Sequence, residues 1–318
     1  MIGKKDRFRE FCNQEDSVPL FSNPWWLDAA CGDNWDACVV ENKEGVCAAM
    51  PYTIQKRKFG LTYVGQPDLT QHLGPWISPS SAKYAKRIGR EKDLMDELIG
   101  QLPPFSNYSQ CWHYSSSNWL PFFWNGFNQT TYYTYVLEDL CDLDGVYAGF
   151  QENVRREIRK AKNRFKLEVY CDLPLDEFLD LNEKTFNRQG KGLPYTRDYV
   201  KRIISAAQKR NQSRWFIAKD SQGRAHAGVL IVWDKNSAYY LMGGGDPDLR
   251  NSGATSLCMW EAIKFSGSIT KKFDFEGSMI QSIERYFRGF GAKQKTYFGV
   301  TKTPSRLLRL GRAAKSIL

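Results

Sequence analysis

Runs of aromatic and β-branched residues occur in two similar series along the chain. In the first half, two β-rich runs around 46–54 and 58–64 lead to an amphipathic stretch that predicts a helix near 83–100, then a strand near 108–115. In the second half, runs near 214–219, 225–233 and 237–243 lead to a predicted helix near 253–266 and a strand near 271–275. Helices near 174–187 and 196–209 precede that second series. A strand meander followed by alternating helix and strand predicts a mixed α/β sheet in each half.

The two series are related by an offset of 163 residues. Phe123-Trp124-Asn125-Gly126-Phe127 precedes the aromatic run Thr131 to Val136, and Tyr286-Phe287-Arg288-Gly289-Phe290 precedes Thr296 to Val300. Each pairs an aromatic helix end with a C-cap glycine and then a strand, so each half is expected to close on the same helix–turn–strand unit. The repeat predicts two tandem domains, here divided as 1–145 and 146–318. Between them runs a strongly basic helical stretch, 151–164, whose Val154, Ile158 and Ala161 share one face and whose cations face outward. Another basic amphipathic run, Arg306 to Lys315, reads as a terminal helix packing on its own domain, or as a peripheral membrane or RNA contact.

At 318 residues and 42% hydrophobic content, either half has enough apolar surface for a core. No stretch has the length and hydropathy of a signal or a membrane span, so a cytoplasmic location is expected. The eight cysteines, at 12, 31, 38, 47, 111, 141, 171 and 258, show no zinc-ligand spacing and no disulfide framework; reduced, mostly buried thiols are expected, and no metal. Residues 1–145 carry 13 Lys+Arg against 18 Asp+Glu, and the remainder 32 against 17. That imbalance, −5 beside +15, points to an anionic partner for the second half, such as a nucleotide phosphate, a tRNA or a phosphorylated cell-wall precursor, or else to a solvated basic surface.

Candidate chemistry concentrates late in the chain. The strand containing Tyr240, a candidate catalytic residue, runs into Gly243-Gly244-Gly245, and Arg250-Asn251-Ser252-Gly253-Ala254 then opens the next helix. Backbone N–H groups at such a helix start are a ready site for a pyrophosphate; the competing reading makes Ser252 an N-cap and Gly253 a turn residue. The glycine-rich strand end offers backbone N–H groups for a developing oxyanion. Phe273-Asp274-Phe275-Glu276-Gly277-Ser278 reads as a strand whose alternation puts both carboxylates on one face, where either can accept a proton from an amine or simply face solvent. Where the first copy has Asn125 the second has Arg288, a candidate clamp for a carboxylate or phosphate, with Lys293 nearby. Arg159 in the basic helix is a further substrate-binding candidate. With only His72, His113 and His226 present, no Ser-His-Asp or Cys-His arrangement is evident.

The Arg250 to Thr255 loop resembles the GNAT pyrophosphate loop, with Arg250 and Gly253 in place and Thr255 departing at the sixth position. The run FDFEGSMIQSIERYFRGFGAKQKTYFGVTK, the basic helix NVRREIRKAKNR and the duplication resemble the Fem-type (FemAB) peptidoglycan aminoacyltransferases and the CelD-like acyl-CoA N-acyltransferases of the GNAT superfamily. The resemblance implies two tandem GNAT-like domains, the first degenerate and the second catalytic. It implies transfer of an acyl group to an amine by direct attack. The donor it implies is acyl-CoA or, alternatively, aminoacyl-tRNA, and the acceptor a cell-wall precursor, an amino sugar or another small amine. A non-catalytic protein binding RNA or an anionic precursor is the reading from a different class. A Rossmann oxidoreductase is disfavoured because the glycines follow an aromatic meander rather than opening a first βαβ unit.

Overall fold

The protein's structure is a computed structural model that describes residues 3–190 and 192–309. Two compact units emerge, one holding the residues up to Tyr132 together with those from Thr296 onward, the other Tyr133–Lys295.

The first unit opens with α1 (Lys4–Cys12) and α2 (Pro24–Cys31), joined by a bidentate Arg9–Asp28 ion pair at 2.6 Å. Strands β1 (Trp35–Asn42), β2 (Gly45–Lys56) and β3 (Thr62–Gly65) form an antiparallel meander, and the two-residue β4 (Trp76–Ile77) lies on β2 at Ala48 and Ala49. Helix α3 (Tyr84–Gly100) follows, then β5 (Asn107–Cys111), parallel to β3, and the short α4 (Leu120–Trp124). Helix α3 buries Leu94, Met95 and Leu98 at helical spacing, against a core that includes Tyr108, Trp112 and Phe122.

The second unit begins within β6 (Asn128–Leu137) and continues through α5 (Leu143–Ala148), α6 (Glu152–Asn163), β7 (Glu168–Cys171), α7 (Leu175–Arg188) and α8 (Arg197–Gln208). The meander β8 (Ser213–Lys219), β9 (Ala225–Trp233) and β10 (Ala238–Gly245) leads to α9 (Ala254–Gly267), β11 (Phe273–Asp274), α10 (Gln281–Arg288) and β12 (Lys293–Lys302). Its sheet runs β6-β11-β10-β9-β8-β7. Strand β9 is buried from His226 to Val232 because α7 and α9 both pack on it. The basic helix docks as its spacing dictates: Val154, Ile158 and Ala161 are buried and α6 packs on α9, while Arg159 stays outside, paired with Glu152.

Each copy ends in helix, turn and strand, yet the closing strands change places. Strand β6 follows α4 but pairs with β11, Asp274 opposite Val136, whereas β12 follows α10 but pairs with β5, Gly299 opposite Cys111. Hydrophobic alternation specifies a strand, not its partner, so the exchange was beyond the sequence pattern. The turns differ as well. Gly126 adopts a left-handed φ of 74° after α4, but in the second copy Gly289 is right-handed at −61° and the left-handed residue is Gly291.

The thiols are less buried than expected: Cys38, Cys47 and Cys258 are inside, while Cys141 and Cys171 are exposed, and all eight are free. Of the basic C-terminal run, residues 310–315 lie outside the described residues. Among the described residues no helix is long and apolar enough to cross a membrane.

Candidate functional site

Strand β10 is held by β9 along its whole length, with an irregularity between Tyr240 and Met242. Its ladder with β11 covers only two rungs, Ala238 with Phe273 and Tyr239 with Asp274. Beyond Asp274 the chain turns away: Glu276 and Gly277 both take left-handed φ, 58° and 63°. A Cβ on Gly277 would stand 2.0 Å from the Tyr133 carbonyl oxygen, so only glycine allows that turn against β6. Parallel strands that part after two rungs leave the β11-facing side of β10 open from Tyr240 to Gly245.

The glycines at the end of β10 admit a helix. A Cβ on Gly244 would lie 2.4 Å from the Asn182 backbone nitrogen in α7. Asn182 Nδ2 donates to the Gly243 carbonyl at 2.7 Å, and Tyr195 Oη donates to Asn182 Oδ1 at 3.1 Å. The Gly245 amide donates to Thr185 Oγ1 at 2.9 Å, which removes it from the set of oxyanion donors expected from the sequence.

On the far side, Arg250–Ser252 forms a short helical turn and Gly253, at φ 79°, opens α9. A Cβ on Gly253 would meet the Glu157 carbonyl of α6 at 2.2 Å, so this glycine sets how closely the basic helix approaches the start of α9. Ser252 is buried and its Oγ accepts from Ala254 N at 3.4 Å, but the N-cap of α9 is Gly253, which has no side chain to cap with. Arg250 is exposed beside that turn.

The two carboxylates do come together, though not by strand alternation, since Glu276 is already in the turn. Asp274 is 1% exposed. Thr134 Oγ1 donates to its Oδ1, and the Glu276 amide donates to the same oxygen at 2.8 Å. Burial nevertheless pushes the Asp274 carboxyl up to about 6. Glu276 is partly exposed as a residue while its Oε1 is inaccessible, and burial, then the neighbouring Asp274 charge, raise it well above the usual carboxylate range. Two like charges this close titrate as a coupled pair, which favours holding one proton between them.

Three tyrosines surround the open stretch of β10. Burial holds Tyr240 and Tyr286 protonated well past the ordinary phenol range and pushes Tyr195 up to about 12. Tyr286, from α10, has its hydroxyl buried beside Ser256 of α9 and Tyr240. The sequence singled out Tyr240 but not Tyr286, Tyr195, Asn182 or Thr185. A polar Asn182 inside the apolar stripe Phe178-Leu179-Leu181 of α7 was the available signal.

Arg288 and Lys293 are engaged elsewhere. Arg288 Nε donates to Glu284 Oε1 at 2.8 Å, and the same oxygen accepts from Tyr135 Oη at 2.6 Å. Lys293 pairs with Glu138 at 2.7 Å and is 72% exposed.

Residues 148–275 match the family described as acetyltransferase (GNAT) domain. The chain is similar to the solved structure of FemX, with a TM-score of 0.67 at 13% identity, covering 94% of this chain and 96% of that one. It is also similar to the C-terminal domain of a putative lysylphosphatidylglycerol synthetase from Agrobacterium fabrum (TM-score 0.54, 12% identity, 98% and 96% covered). A third likeness is to L-PGS from Bacillus licheniformis (TM-score 0.53, 10% identity, 95% and 93% covered). No curated protein sequence matches the chain. Residues 148–275, which carry the β10 edge and the left-handed entry to α9, thus match the acetyltransferase (GNAT) domain family, and the chain has the fold of the solved FemX structure.

Proposed function

We propose that the second unit transfers an acyl group from acyl-CoA to a small amine acceptor. The observation that carries this reading is the parting of β10 from β11 after two rungs, which leaves a stretch of strand edge free between a carboxylate pair and a helix start. The pantetheine amides would pair with that edge as an added strand, and the pyrophosphate would lie at the start of α9, near Gly253 and Arg250.

The amine attacks the thioester carbonyl, the C–N bond forms and the C–S bond breaks. Glu276, beside Asp274, takes the amine proton; burial and the neighbouring charge raise its carboxyl above the usual carboxylate range, which makes its carboxylate a stronger base. Tyr286 holds a proton beside the same strand and would pass it to the departing thiolate. No covalent enzyme intermediate is involved. Thermal unfolding with acetyl-CoA tests the donor: at about 100 times Kd a bound donor adds about 2.7 kcal/mol. A rise in Tm with acetyl-CoA supports the reading; stabilisation by aminoacyl-tRNA alone would reassign the donor.

A further inference from the structure

The first unit has no open β10 edge, yet the matching elements enclose a cavity. In the second unit the proposed transfer site is walled by β10, the start of α9 and the segment after β11. Their counterparts in chain order are β4, α3 and the segment after β5, and these line a cavity of about 330 Å³, closed by the loop before α2. The 163-residue offset places Cys111 at Asp274 and His113 at Glu276, so the cavity sits at the carboxylate end of the repeat with the carboxylates gone.

The lining chemistry is consistent throughout. No Lys or Arg is among the lining residues. Hydroxyls come from Ser17, Ser22 and Ser115–Ser117, and the charge from Glu91, which makes no ion pair among the described residues. Asn118 Nδ2 is buried and lacks a hydrogen-bond partner among the described residues, an unmet donor at the cavity wall. Trp76 contributes an indole whose Nε1 is anchored on Ser17 Oγ at 2.9 Å. His113 Nδ1 accepts from the Ser115 amide at 3.3 Å and lies 2.7 Å from Ser115 Oγ, which orders the loop after β5. The loop's other wall is fixed by Gly74, where a Cβ would fall 2.6 Å from the Trp112 ring.

We infer that this cavity binds a monosaccharide bearing a free amino group. Its volume suits one pyranose ring. The indole offers an apolar face to the ring C–H groups, and the serines with Asn118 supply paired donors and acceptors for hydroxyls. Glu91 is the partner for an ammonium, and the missing cations exclude a sugar phosphate or a nucleotide. This inference stands apart from the transfer reading, because it concerns binding without a donor in a different unit.

Titration calorimetry on the full chain without acyl donor, below the amine's pKa, tests it with glucosamine, glucose and glucose 6-phosphate. Glucosamine is expected to bind with a Kd on the order of 1 mM, at least several-fold tighter than glucose, with the phosphate weakest. Glu91→Gln is expected to weaken glucosamine about tenfold while leaving glucose within about twofold, and Asn118→Asp to weaken glucose. A second variant, Glu276→Gln in the other unit, is expected to leave this binding unchanged. Equal or tighter binding of the phosphate, no binding by any of the three, or glucosamine binding lost with Glu276→Gln but kept with Glu91→Gln would overturn the assignment.

Discussion

In the second unit the segment after β11 holds Asp274 and Glu276 side by side, with burial raising both pKa values. In the first unit the positions 163 residues earlier are Cys111 and His113, and the segment after β5 carries Ser115, Ser116 and Ser117 instead. The elements around the two places correspond, from β4 to β10 and from α3 to α9. What separates them is chemistry at a few positions and one strand: β10 runs eight residues with a free edge, whereas β4 runs two. The two copies thus differ at the same place in the repeat: the later one carries a carboxylate pair, the earlier one a cysteine and a histidine followed by serines.

The sharpest break in that comparison is Glu276→Gln. If the carboxylate takes the amine proton, kcat should fall by about 10²-fold or more, with Tm unchanged or raised. Steady-state kinetics with acetyl-CoA and an amine panel, beside calorimetric unfolding, would check both halves of the expectation. Retained kcat would reduce the pair to a structural feature of the turn.

The pH dependence of folding should be as one-sided as the chemistry. Asp274 has a folded pKa of about 6, above the unfolded 3.8, so ionising it costs the folded state. Its contribution is neutral below about pH 4, stability falls as pH rises through about 6, and the loss then levels off at on the order of 3 kcal/mol. Asp274→Asn keeps an acceptor for Thr134 and Glu276 and should lower that slope, leaving the part that the raised Glu276 carboxyl contributes. Urea midpoints at about pH 4 and about pH 8 would show it, and parallel curves for wild type and variant would contradict it. No buried carboxylate pair stands at the matching place in the first unit, so the slope belongs to the second unit alone.

The closing turns offer a paired test of structure. Gly291 and Gly126 are both left-handed, at φ 71° and 74°. Around Gly291 a Cβ would meet the Gly149 carbonyl oxygen at 2.6 Å, while near Gly126 the closest atom is Lys302 Nζ at 3.9 Å. Gly291→Ala should therefore cost about 2–3 kcal/mol, strain plus clash, against about 1 kcal/mol for Gly126→Ala. Equal losses would mean that backbone strain alone sets the cost.

How far the sequence spoke depended on whether the cause was local. Periodicity placed α6, α7, α8, α9 and β8 to β10 within a residue or two, because each buries one stripe or one run that its own residues define. Strand β1, with two acidic positions inside Trp35–Asn42, gave too weak an alternation to be read. The strand exchange was invisible because pairing is decided by tertiary contacts. It also dissolves the charge argument. Divided at residue 145 the halves carry −5 and +15, but the compact units carry 18 Lys+Arg against 14 Asp+Glu and 27 against 21, or +4 and +6. The basic closing segment belongs to the first unit, so a polarised surface is no longer a reason to expect an anionic partner for the second. Of the site, the carboxylates and glycines were legible as residue types. The Asn182–Gly243 bond and the buried Tyr286 hydroxyl arise from helix docking, which no spacing reveals.

The smallest expected effect concerns Arg288, a cation gained in the second copy at the place of Asn125. Asn125 in the first copy donates to Asp96 and to the Pro121 carbonyl, holding the end of α4 to α3. Arg288 in the second does the same kind of work: it bonds Glu284, whose carboxylate accepts from Tyr135, which in turn accepts from Gln294 Nε2 at 2.8 Å. Its side chain is 50% exposed and already committed, so a substrate anion would have to displace Glu284. Arg288→Ala should consequently change kcat/KM by less than about threefold, and KM should not rise selectively for acidic acceptors. A selective rise in KM for carboxylate-bearing acceptors, rescued by Arg288→Lys, would show that the later copy had gained an anion clamp beside its carboxylate pair.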